Sequence, residues 1–148
     1  MDAFRPASSL LIAGLALLAS ACGGGDGAAE VRVSLREWIV DPSRDEAAAG
    51  KVKLVAENQG TRPHELVVIK SDLQPDGLPL VDGKVNEDKV NISGEIEPLA
   101  AGATREATFE LSPGKYLLIC NIVELVPGAP LQSHYQNGML AAFLVIEE

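Results

Sequence analysis

The chain is poor in the residues that bind metals. Its 148 residues hold two cysteines and two methionines, one of them the initiator, and two histidines. Aromatic residues reach only 4%, so Val, Leu, Ile and Ala must fill the core. Basic side chains are few, 12 against 21 acidic, for a net charge of −9. That deficit argues against nucleic acid and against anionic lipid held by a basic patch, because both require Lys/Arg clusters. The acidic surface permits a positively charged partner and equally serves solubility. No Gly-rich phosphate loop is present, and no Gly-x-Ser-x-Gly signals a hydrolytic nucleophile. One domain's length remains, enough for a core without staples.

The longest apolar stretch, Ser8 to Ala21, is too short and too rich in small residues for a membrane span. It follows Arg5 and ends in "LASAC", resembling a bacterial lipoprotein signal with Cys22 as the lipidated residue. Ala21 and Ser20 fit that pattern, while Ala19 replaces the usual Leu. An ordinary secretory signal with a stray cysteine is the alternative. "GGGDGAAE" follows at once, a flexible tether. The expected organisation is a signal over 1–21, lipidated Cys22 and tether over 22–29, and one folded domain over 30–148. The resemblance implies an exported protein, anchored to a membrane by its N-terminal lipid and facing the periplasm or cell exterior. With Cys22 lipidated, Cys120 has no disulfide partner, which in an oxidising compartment calls for burial or metal ligation.

From Glu30 onward the pattern is strands broken by turns. Val31, Val33 and Leu35 alternate with polar residues, and the register slips near Glu37, predicting a bend or bulge. "RDEAAAGK" suggests a helical turn closed by Gly50. "KVKLVAENQG" alternates and ends in a turn signal; "HELVVI" is strongly β-prone. Residues 71–98, broken by Pro and Gly, read as an excursion between two β layers, with a short helical turn at "NEDKV". "ATREATFEL", "KYLLICNI" and "MLAAFLVIE" complete the set. The expectation is an all-β, Greek-key sandwich of six to eight mostly antiparallel strands.

His64 opens "HELVVI", Cys120 ends "KYLLIC", and His134 and Met139 follow in "SHYQNGM" before the last strand. Singly, each has an ordinary explanation: a packed or surface histidine, a core cysteine, a core methionine. Jointly they exhaust the chain's supply outside Met1 and Cys22. Two imidazoles, one thiolate and a weak axial thioether are the donor set of a type 1 copper site.

"NQGTRPHELVVIK" resembles the first-ligand segment of the cupredoxins, and "YLLICN…SHYQNGMLAAFLVI" is similar to their C-terminal ligand loop. The resemblance implies His64, Cys120 and His134 as strong ligands, Met139 as axial ligand, and one type 1 copper per chain. Two features depart from it: "VELVPGAPLQ" resembles an insertion bulging outward from the ligand loop, and Glu65 stands where many blue copper proteins carry Asn. Asn121 is a candidate to steady the site instead.

The implied function is one-electron transfer between redox protein partners by a monomeric domain, not catalysis, since no histidines remain for a second copper centre. On this reading His134, on an exposed loop, is the electron port, and Tyr135 serves docking or packing. The alternative is an extracytoplasmic copper chaperone or storage protein on the same fold.

Overall fold

The structure, a computed structural model, describes residues 27–147. The signal, the Cys22 lipidation site and most of the tether lie outside them. Among the described residues no helix is long and apolar enough to cross a membrane.

Strand β1 (Ala29–Arg36) turns through Glu37 and Trp38 into β2 (Ile39–Pro42). The register slip is therefore a hairpin, with Arg36 opposite Ile39 and Val33 opposite Pro42. Val31, Val33 and Leu35 face inward and are fully buried, as their alternation predicts. The expected helical turn at "RDEAAAGK" is instead a strand, β3 (Glu46–Ala48). It is held by the edge of the last strand, through Leu144 N to Asp45 O (2.8 Å) and Ala49 N to Ile146 O (2.8 Å). Those bonds outweigh the weak helical preference of a few alanines.

Strands β4 (Gly50–Asn58) and β5 (His64–Lys70) follow, then a small hairpin of β6 (Leu80–Val81) and β7 (Lys84–Val85). Glu87–Lys89 forms one 3-10 turn where "NEDKV" predicts it, capped by Asn86. Next come β8 (Asn91–Leu99), β9 (Thr104–Leu111) and β10 (Gly114–Ile119). The chain ends with a second small hairpin, β11 (Val123–Glu124) and β12 (Gln132–Ser133), and with β13 (Leu140–Ile146).

The main strands form a four-stranded sheet, ordered β2-β1-β4-β9, packed on a five-stranded sheet, ordered β3-β13-β10-β5-β8. The all-β sandwich is as expected, with more strands than six to eight. Most pairs are antiparallel; β1–β4 and β3–β13 are parallel. Val31, Leu54, Leu66, Leu118 and Phe143 are among the residues filling the space between sheets. Gly94 of β8 belongs to this closure, since a Cβ there would lie 2.3 Å from the Phe109 ring of β9.

The excursion over 71–90 does not run between the layers. It leaves β5 and returns to β8 in the same sheet, covering that sheet's outer face. Val67, Ile69, Leu117 and Ile119 pack there against Leu78, Val85 and Tyr135. Strands covered on both faces lose alternation, which is why "LVVI" and "YLLI" are apolar without a break. β8 shows no strand pattern in sequence because Gly94 and Pro98 interrupt it; as a sheet edge it tolerates the proline.

Candidate metal centre

Three turns at one end of the sandwich supply the four expected residues. His64 is the first residue of β5, entered from the 58–63 turn. Asn58, almost wholly buried, organises that turn: its Nδ2 donates to Arg62 O (2.7 Å) and Leu99 O (2.9 Å), and its Oδ1 accepts from Gly60 N (2.9 Å). Cys120 follows β10, between β5 and β13 in the sheet order. His134 and Met139 close a compact turn in which Met139 N donates to His134 O (3.0 Å) and Cys120 N to Met139 O (3.1 Å). The Met139 side chain is fully buried in the same core cluster as Cys120.

The segment expected to bulge outward, "VELVPGAPLQ", forms most of the β11–β12 hairpin. Its arms pair Val123 with Ser133 and Glu124 with Gln132, and His134 N donates to Ile122 O (2.9 Å). The segment therefore leaves and returns at one place, directly before His134. Leu125 at the tip is 83% exposed.

Among the described residues, His64, Cys120 and His134 form a group able to hold a metal ion. His64 Nδ1 and His134 Nδ1 are 3.2 Å apart, and Cys120 Sγ lies 3.3 Å from the latter and 3.9 Å from the former. A point equidistant from these three atoms lies about 2.0 Å from each, the length of a metal–nitrogen bond and close to that of a metal–sulfur bond. All three residues are wholly buried. Burial pushes the Cys120 thiol up to about 12, against hydrogen bonds from the Glu65 and Ile122 backbones that favour the thiolate. It also lowers both imidazoles; the charge of His134 adds to the effect at His64, while Glu124 opposes it at His134. Two neutral imidazoles and a thiol packed this tightly suit a cation, which on binding would displace the thiol's proton to solvent. Thiolate with imidazole suits copper or zinc; a thioether added to that set, as Met139 could supply, favours copper.

No protein-family model matches the chain, and no curated protein matches it significantly. Solved structures do. Reduced auracyanin from Roseiflexus castenholzii is 21% identical with a TM-score of 0.52, over 83% of this chain and 99% of that one. Auracyanin A, a "blue" copper protein from Chloroflexus aurantiacus, is 21% identical with a TM-score of 0.53, over 81% of this chain and all of that one. Reduced rusticyanin is 15% identical with a TM-score of 0.56, over 83% and 82%. This is the cupredoxin fold.

Within this cupredoxin sandwich His134 is not at the surface, contrary to the expectation of an exposed port. The Trp38 ring stands edge-on to it at 5.2 Å, the Arg62 guanidinium lies 5.5 Å over Trp38, and Glu124 from the β11–β12 hairpin approaches its outer nitrogen. Tyr135 is packing: its hydroxyl donates to Pro75 O (2.6 Å) and accepts from Leu78 N (3.2 Å). Asn121 ties the β6–β7 hairpin through Val85 N (2.7 Å), Val85 O (3.1 Å) and Glu87 (2.9 Å), so its side chain does not brace the ligand loop. Glu65 contributes more. Its backbone N–H donates to Cys120 Sγ (3.4 Å), and its carboxylate accepts from Asn121 N (3.1 Å). Burial, then the neighbouring Glu95 charge, pushes that carboxyl up to about 7.

Proposed function

We propose that this chain is an exported one-electron copper carrier. His64 Nδ1, His134 Nδ1 and Cys120 Sγ are its strong ligands and Met139 its axial one. The observation that carries this reading is the buried triangle of three donor atoms, sized for one ion and assembled from residues 14 to 70 positions apart. The likeness to auracyanin A, itself a blue copper protein, supports it. Bound there, copper supplies a centre that alternates between Cu(I) and Cu(II).

The protein's part is to keep the donors still through that change. His64 is fixed by the sheet and by the Asn58 turn. Cys120 is fixed by two flanking strands and by the Glu65 N–H, which stabilises negative charge on sulfur. His134 and Met139 are held to each other and to Cys120 by backbone bonds. Small rearrangement on electron gain or loss is what a carrier needs. Complete burial of the donors also favours carriage over the chaperone alternative, since handing metal to another protein requires a ligand that can leave the site. Cys22 would hold the domain at a membrane through the tether, and the partners would be extracytoplasmic redox proteins.

Copper titration of the protein, followed by visible absorption and EPR, tests this. One equivalent should produce an intense thiolate-to-copper band and reversible one-electron reduction without metal loss, and Cys120→Ser should abolish the band. A colourless copper-loaded protein would refute the assignment.

A further inference from the structure

The Nδ1 atoms of His64 and His134 face Cys120, so the proton of each neutral ring must sit on Nε2 whenever Nδ1 serves as a ligand. Both Nε2 atoms are buried and neither has a hydrogen-bond partner. A buried N–H left unpaired costs about 1–3 kcal/mol, yet the protein presents each with one carboxylate. Glu37 Oε1 lies 3.6 Å from His64 Nε2, and Glu124 Oε1 lies 3.6 Å from His134 Nε2. Both separations stop just short of a hydrogen bond.

The two carboxylates come from unrelated places, the β1–β2 turn and the β11–β12 hairpin, and neither is a loose surface group. Glu37 Oε1 accepts from Thr61 N (2.9 Å), Thr61 Oγ1 (3.2 Å) and Arg62 N (2.8 Å). Glu124 Oε2 accepts from the Arg62 guanidinium (2.6 Å), leaving Oε1 toward the histidine. Gly60 supplies the independent observation. A Cβ there would fall 2.7 Å from Glu37 Oε2 and 2.9 Å from His64 Nε2. Any other residue would therefore crowd the pair. The 60–62 segment thus keeps one carboxylate against His64 with its backbone and the other against His134 through the Arg62 side chain.

We infer that Glu37 and Glu124 are positioning residues for the two imidazoles, each accepting the Nε2–H of one histidine and so holding its Nδ1 toward Cys120. The inference rests on the copper reading for its redox consequence, but not for its geometry. Carboxylates behind ligand histidines fix the ring tautomer and raise its donor strength. They also place negative charge beside the site, which favours the more positive, oxidised state of a bound ion.

Glu→Gln keeps an acceptor oxygen and removes the charge; Glu→Ala removes both. In 15N-edited spectra of the Zn(II)-loaded and metal-free full chain, the wild type should show slowly exchanging Nε2–H protons on both histidines. Glu37→Ala should lose the one on His64, Glu124→Ala the one on His134, and Gln at either position should retain it. Gly60→Ala should reproduce the loss at His64 alone. In the copper-loaded protein each Gln variant should raise the Cu(I):Cu(II) ratio at a fixed solution potential by about tenfold, equivalent to 59 mV for one electron, with the visible band intact. Each Ala variant should weaken metal binding by about 10–100-fold. Nε2–H signals that persist in the Ala variants, or an unchanged ratio in Gln variants with an intact band, overturn the positioning role. A wild type without a copper band defeats the carrier reading instead, and the nitrogen spectra still decide the positioning.

Discussion

Asn58→Ala removes three hydrogen bonds from the turn that delivers His64, at a position with 2% exposure. At a net of roughly 1 kcal/mol per bond the loss is about 3 kcal/mol. It approaches the upper side of that scale because Leu99 O is left buried without its side-chain donor. The backbone bonds of Asn58 to Ala103 O and from Gly102 N survive, so the strand itself should not come apart. Urea titration of the metal-free protein measures the effect. With a slope of about 1–3 kcal/mol per molar, the midpoint should fall by about 1–3 M with the slope unchanged. Asn58→Asp sharpens the test. It is isosteric and keeps the bond from Gly60 N, but it turns an acceptor toward two carbonyl oxygens. At neutral pH it should cost at least as much as Ala, and the difference should shrink in acid, where a protonated carboxyl can donate. A loss under about 1 kcal/mol for Ala, or an Asp variant milder than Ala at neutral pH, would refute this account of the turn.

Gly94→Ala should cost about 1–3 kcal/mol through overpacking against Phe109, and a double-mutant cycle with Phe109→Ala should show the two changes to be strongly non-additive. Metal-free protein should lose stability as pH rises from about 9 toward 12. Over that range the unfolded thiol of Cys120 has ionised and the buried one, pushed up to about 12, has not. Cys120→Ser should flatten that limb relative to wild type in denaturation profiles. Replacing 125–131 by a two-residue Asn-Gly turn should leave the copper spectrum unchanged, because the Ile122–His134 bond and Glu124 lie outside the excised tip; a shifted spectrum would show that the tip shapes the site.

The sandwich and the ligand cluster were legible for different reasons. Val31, Val33 and Leu35 announce their strand by period, and His64, Cys120 and His134 stand out by rarity. β3 was not legible, since "EAAAG" has no strand propensity and forms only where β13 offers an open edge. Nor was the cover over His134. "VELVPGAPLQ" signals an outward loop, but nothing in it says that Glu124 folds back over the imidazole. Trp38 and Arg62 come to cover His134 from 96 and 72 positions away in sequence, through contacts that leave no periodic trace. Gly60 carried a readable hint: it ends the "NQG" turn, yet its need for bare space beside His64 exists only in three dimensions.

The complete burial of His64, Cys120 and His134 has a kinetic consequence. An ion arriving from solvent finds no donor atom to meet it, so uptake must wait until the 58–63 turn, the 133–139 turn or the Trp38–Arg62 cover swings aside. Such local openings have their own equilibrium, set by the few bonds that hold each turn shut. Loading should therefore be gated: its rate climbs with copper concentration and then levels off at the opening rate of the gate, and Asn58→Ala, by loosening one leaf, should raise that plateau.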